Sequence, residues 1–224
     1  MQWFYTVFNL VIFSGPVLGC YIWFRKAWQY RVRMLAGYLC VSVPWVLIDA
    51  ASVDRGWWNY NPDFIFGPRV LGLPLEEIAF FFTVPLACMI TLYALASRVR
   101  GVIAKSHGRI VLGIVAGLII AFACVHVNRE RTIIDAILAL ITIGLLYRST
   151  LITGRAFWAW NIVIVGLFLI FNTMLTALPV VLYDVQYMSG IRIGTIPIED
   201  MLYNFSLLNL MALVVRPDRV AKHQ

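Results

Sequence analysis

Charge is what this chain has least of: 13% of its 224 residues are Asp, Glu, Lys or Arg, against 62% hydrophobic, and the mean hydropathy is +0.84. Such a composition excludes a soluble globular protein and leaves several runs of membrane length. Histidine is scarce too. His107, His126 and His223 are scattered, in a loop, an apolar run and the tail respectively, which argues against an iron-oxygenase centre. Cys20, Cys40, Cys88 and Cys124 fall in apolar runs with no Cys-x-x-Cys spacing, so they read as small buried hydrophobes rather than disulfide or zinc partners. No Gly-x-Gly-x-x-Gly follows a strand, which removes the dinucleotide and flavin folds. The aspartate-rich motif of prenyl transferases is missing as well. Lys26, Lys105 and Lys222 lie outside the apolar runs, so no lysine can hold a retinal Schiff base. Neither a metal nor a cofactor is expected.

What remains is a polytopic, all-α membrane protein. Apolar runs span Gln2–Phe24, Met34–Ala51, Leu75–Ser97, Ile110–Val127, Thr132–Tyr147, Ala156–Tyr183 and Ile198–Val215, which predicts seven transmembrane helices in the lipid bilayer. The first run has no Lys or Arg before it and no small-residue cleavage pattern before Arg25, Lys26, Arg31 and Arg33, so it reads as a retained anchor. A net charge of +7 could suggest nucleic acid, but the basic residues sort by membrane side. Loops after runs one, three and five plus the tail hold 13 of the 18 Lys and Arg, the opposite side 5. The positive-inside rule then places the N-terminus outside and the C-terminus in the cytoplasm of an integral cell-membrane protein.

One pattern occurs twice. Leu73-Pro74-Leu75-Glu76-Glu77 and Ile196-Pro197-Ile198-Glu199-Asp200 each open an apolar run, 123 residues apart. At that offset Tyr60 falls on Tyr183, Gly67 on Gly190, Arg69 on Arg192, Pro74 on Pro197, Glu76 on Glu199 and Phe82 on Phe205. The match predicts tandem three-helix repeats, residues 1–98 and 128–224, joined by a linker and fourth helix over 99–127. A three-span unit followed by one extra span re-enters from the same side, so the repeats are parallel and their acids lie at equal depth, facing one another across the repeat interface. Proline in a first helical turn marks a helix start. Acids there complement the helix dipole by about 0.3–1 kcal/mol, but doubled acid pairs in so apolar a chain point to chemistry.

The run Gly67-Pro68-Arg69-Val70-Leu71-Gly72-Leu73-Pro74-Leu75-Glu76-Glu77-Ile78-Ala79-Phe80-Phe81-Phe82 resembles the first half of the heterodimer-type carotenoid cyclases. Leu175-Thr176-Ala177-Leu178-Pro179 and the segment from Gly190 to Ser206 resemble the second half. The whole is similar to the fused, single-chain form found in archaea, actinobacteria and fungi. The resemblance implies lycopene β-cyclase activity, a cofactor-independent isomerisation acting on lycopene or a related carotenoid, with other enzymes of that biosynthesis as candidate partners. Its proline-x-acid-acid motif carries over onto Pro74, Glu76 and Glu77, and onto Pro197, Glu199 and Asp200.

Closing such a ring adds a proton at C2, joins C1 to C6 and releases a proton beside the C5 cation. Paired acids in different protonation states suit that sequence. Glu76, Glu77, Glu199 and Asp200 are the candidate catalytic residues. Asp49 and its counterpart Asn172 are candidate supporting residues, with Asp54 and Asp184 less favoured. Trp57, Trp58, Tyr60 and Tyr183 either anchor the interface or offer ring faces to a carbocation. Arg69 and Arg192 either pair with one acid per motif or snorkel to the interface. Competing functions are a cyclase or hydratase of another carotenoid, with a longer skeleton or an ε or γ ring, and a small-solute or proton-coupled transporter.

Overall fold

A computed structural model describes residues 3–12, 14 and 31–216. The expectations for Cys20, Arg25, Lys26, Lys222, His223 and the rest of the first apolar run lie outside the described residues. Helix α1 covers residues 4–12; α2 is Arg31–Asp54, α3 Leu75–Arg98, α4 Lys105–Val125, α5 Glu130–Arg148, α6 Arg155–Ala177 and α7 Ile198–Val215. Among the described residues five helices, α2, α3, α4, α6 and α7, are long and apolar enough to cross a membrane. Helix α5 is 19 residues long but carries Glu130, Arg131, Asp135 and Arg148.

The bundle is built around α3 and α7, which touch each other. Helix α6 packs on α3, α2 and α5 pack on α7, and α4 packs outside α5. The core holds Trp45, Phe81, Leu92, Trp160, Leu208 and Met211, while Ile110, Ile114, Leu118, Ile162 and Ile170 stand on outer faces. An apolar exterior on long helices is what a bilayer requires.

The chain is not wholly α. Strands β1 (Trp58–Tyr60), β2 (Arg69–Val70), β3 (Leu73–Pro74), β4 (Val181–Tyr183), β5 (Arg192–Ile193) and β6 (Ile196–Pro197) form three two-stranded ladders at one end of the bundle. The sixth apolar run therefore stops early: Pro179 ends the helix near Ala177, and Val181–Tyr183 turns to pair with β1. That pairing is antiparallel, with Trp58 opposite Tyr183, Asn59 opposite Leu182 and Tyr60 opposite Val181. Shifting each partner by 123 residues maps the register onto itself about Asn59 and Leu182.

Smaller differences concern single residues. Cys40 and Cys124 are exposed on the apolar exterior rather than buried; Cys88 is buried as expected. His107 lies in the first turn of α4 instead of a loop, because the helix starts at Lys105. His126 caps the far end of α4, half-buried beside Phe122.

Candidate active site

Each acidic motif is delivered by a tight hairpin. Strands β2 and β3 are joined by Leu71 and Gly72, both at positive φ (54° and 81°), the conformation a two-residue turn demands. Strands β5 and β6 turn at Gly194 (φ 62°). In both, the proline closes the ladder and caps the helix, and the following N–H donates back into the loop: Leu75 to the Pro68 carbonyl (3.2 Å), Ile198 to the Ile191 carbonyl (3.0 Å). The acids thus sit in the first turns of α3 and α7 and are buried.

The first acid of each pair ties the loop to a neighbouring helix. Glu76 Oε1 accepts from the Phe66 N–H (2.6 Å) and the Thr6 hydroxyl (2.9 Å). Glu199 Oε1 accepts from the Ser189 N–H (2.7 Å) and the Thr132 hydroxyl (2.6 Å). Neither lines the cavity described next.

The second acids do. Glu77 and Asp200, from different helices, line one cavity with Asp49, Arg131, Asn172, Tyr5, Trp58, Tyr60, Tyr183 and Tyr203. Their surroundings differ. The Tyr5 hydroxyl donates to Glu77. Asp200 Oδ1 takes a charge-assisted bond from Arg131 Nη2 (2.8 Å), and its Oδ2 accepts from the Tyr183 hydroxyl (2.6 Å) and Asn172 Nδ2 (3.2 Å). Arg131 also pairs with Asp135 through Nε (3.0 Å), and its guanidinium lies 3.9 Å from the Trp58 ring centre. A planar cation suits stacking on indole while its fork engages two carboxylates.

Asp49 is buried and accepts from the Tyr60 hydroxyl (2.8 Å), which itself accepts from Trp58 Nε1 (3.3 Å). Burial first, then the Asp49 charge, pushes the Tyr60 phenol well above its ordinary range; burial and Asp200 do the same for Tyr183. Both stay hydroxyl donors at any working pH.

Other expected residues are placed elsewhere. Trp57 is buried away from the cavity, its Nε1 donating to Glu130 (3.2 Å). Asp54 is exposed, and Asp184 binds Gln186 in a turn. The arginine pairing expected for the motifs is made by a different residue. Arg69 donates to the Asn59 side chain and to the carbonyls of Tyr60 and Gly72, Arg192 to the Thr195 carbonyl, and both are exposed. They brace the hairpins, whereas the ion pairs here come from Arg131. Six residues separate each motif arginine from the first of its acids and seven from the second, and the hairpin turns the two in different directions. Among the described residues no cluster of His, Cys, Asp and Glu could hold a metal.

Comparison with known proteins settles the family. A family model described as lycopene cyclase matches residues 2–95 and 128–216. The chain belongs to the lycopene cyclase family. The two matched blocks carry one acidic motif each and omit α4. Relatives include the bifunctional lycopene cyclase/phytoene synthases of Neurospora crassa, 39% identical over 57 residues (23% of this chain, 9% of the relative), and Pyrenophora tritici-repentis, 36% identical over 76 residues (34% and 12%). That of Podospora anserina is 37% identical over 57 residues (25% and 9%). The chain spans about a tenth of the length of these curated relatives. No solved structure matches it.

Tyr5, Thr6, Arg131, Thr132, Asp135 and Tyr203 escape the sequence reading. Arg131 counts there as one more loop cation, although it is 2% exposed. A signal existed: Tyr5-Thr6 and Arg131-Thr132 stand in matching places 126 residues apart, three more than the motif offset, so a comparison at fixed offset passes over them.

Proposed function

We propose that the protein is a lycopene β-cyclase, closing the terminal ψ-ends of lycopene to β-rings by proton transfer, without cofactor or net redox change. The observation that carries this reading is the pair Glu77 and Asp200, brought from two helices to one aromatic-lined cavity in a member of this family. A proton from one carboxyl adds to C2, the C5=C6 electrons close on the C1 cation, and the other carboxylate removes the C6 proton. One proton enters the substrate and one leaves.

The surroundings support distinct roles. Asp200, engaged by Arg131, Tyr183 and Asn172, is the base; a guanidinium at contact favours an ionised partner. Glu77 meets a phenol in place of a cation and is the acid. A buried carboxyl with no cation beside it is cheapest in its neutral form. Trp58, Tyr60, Tyr183 and Tyr203 supply electron-rich rings to the wall of the cavity in which the carbocation forms. Glu76 and Glu199 hold the entrance loops, and Asp49 orients Tyr60.

We read the chain as seven spans in two parallel three-helix units, with the N-terminus outside and the C-terminus cytoplasmic. The self-mapping register of β1 and β4 and the recurrence of hairpin and acid contacts 123 residues on favour that plan. In a cysteine-free background, Asp63→Cys labelled from outside intact cells and Lys105→Cys protected would support the orientation; the reverse would overturn it.

Expression in a lycopene-accumulating bacterium, followed by pigment analysis, tests the activity. Lycopene left unchanged by the intact protein ends the cyclase reading. In heavy water each new ring must carry one solvent deuteron.

A further inference from the structure

A second cleft adjoins the site cavity. Its walls come from Phe8 and Ile12 of α1, Val84 and Ala87 of α3, and Ile164 and Leu167 of α6. Phe80, Phe168, Asn172, Leu175 and Asn204 line both spaces, so the two adjoin. Among the described residues no charged side chain lines the cleft; apart from the Cys88 thiol, its polar side chains there are those two shared asparagines. One of its wall residues, Leu167, is 38% exposed on the apolar exterior.

The packing explains why this flank is open. Trp160 is buried between α6 and α3, its Nε1 donating to the Cys88 carbonyl (2.8 Å), so that a large indole fills the space between the two helices. At the position 123 residues earlier stands Gly37, where an added Cβ would come 2.4 Å from Met211 Sδ. Helices α2 and α7 therefore meet closely where α6 and α3 are wedged. Above that close crossing Trp45 and Tyr203, counterparts of Phe168 and Phe80, stack 5.9 Å apart, and the Tyr203 hydroxyl donates to the Trp45 carbonyl (3.2 Å). One flank is sealed by side chains and the other is a channel.

We propose that this cleft binds the polyene chain of the substrate: a long, linear, unfunctionalised isoprenoid enters from the bilayer between α1 and α6, one end reaching Glu77 and Asp200 while its chain lies across Ala87 and Leu167. The inference rests on the cyclase reading. Walls without charge reject headgroups and polar metabolites, since a charged ligand there would be desolvated without a partner. The shared wall with the cavity of Glu77 and Asp200 brings the one part of the substrate that must react to the acids. With the related flank closed by Trp45 and Tyr203, the site takes one end of the molecule per binding event.

The test uses the full chain in membranes with two substrates: lycopene, and a short acyclic isoprenoid hydrocarbon bearing the same terminal diene but ending inside the site cavity. Bulk added to a packed apolar wall blocks what must lie along it. Ala87→Phe and, from the opposite wall, Leu167→Trp should each lower the ratio of lycopene to short-substrate rates at least about tenfold, a discrimination within reach of pocket sterics. Ile162→Trp, on the same helix but 74% exposed and off the cleft, should leave the ratio unchanged. Both cleft variants losing the two substrates in equal measure, or neither, overturns the cleft assignment alone. An intact protein that closes neither substrate overturns the cyclase reading and this inference with it.

Discussion

The outer acids of the two motifs, Glu76 and Glu199, have the same partners in kind: a backbone N–H from the preceding loop and a threonine hydroxyl from a neighbouring helix. The inner acids, Glu77 and Asp200, share a position and part company chemically, one facing Tyr5, the other Arg131 in the matching place. Where a duplicated pattern keeps its contacts, it is holding the fold; where the contacts diverge, the two copies do different work. In the mechanism proposed above, tyrosine and arginine at related points make one of two similar carboxyls the acid and the other the base, the separation that proton-transfer chemistry requires.

Breaking the inner pair has the largest effect. Glu77→Gln or Asp200→Asn should lower ring formation by about 10²–10⁴-fold, the usual worth of a general acid or base, read as residual lycopene in pigment extracts. Removing the cation that distinguishes the two sides comes next. Arg131→Gln leaves Asp135 and Asp200 buried without their partner and should cost about 3–5 kcal/mol, visible as loss of folded protein on heating in detergent. The outer pair gives the contrasting result: Glu76→Gln and Glu199→Gln should each cost about 1–3 kcal/mol of stability, the penalty for weakening charge-assisted bonds to buried donors, while ring formation per folded molecule stays within about tenfold of the parent. Arg69→Gln and Arg192→Gln are the smallest. They brace exposed hairpins and should shift stability by no more than about 0.5 kcal/mol, with an unchanged dependence of rate on pH. A moved profile there would bring these arginines back into the site.

Helices α3 and α7 were legible because Pro-x-acid-acid followed by an apolar run is a local signal that needs no distant partner. Asp49 and Asn172 were found by register and do line the cavity. The strands were not legible. β1 and β4 are three residues long and exist through pairing across more than a hundred residues, which no local propensity encodes. Arg131 was missed for a related reason. A cation just outside an apolar run reads as a loop residue until Asp135, Asp200 and the Trp58 ring close round it, and two of those three partners are remote in the chain.

The small ladder between β1 and β4 has an implication for origins. Because its pairing is unchanged when its two strands trade places, it is the handshake that two separate copies of a single ancestral half would make on meeting. Joining them end to end need alter nothing in that grip. Halves tethered in that way would each be free to vary on their own, one toward tyrosine and the other toward arginine.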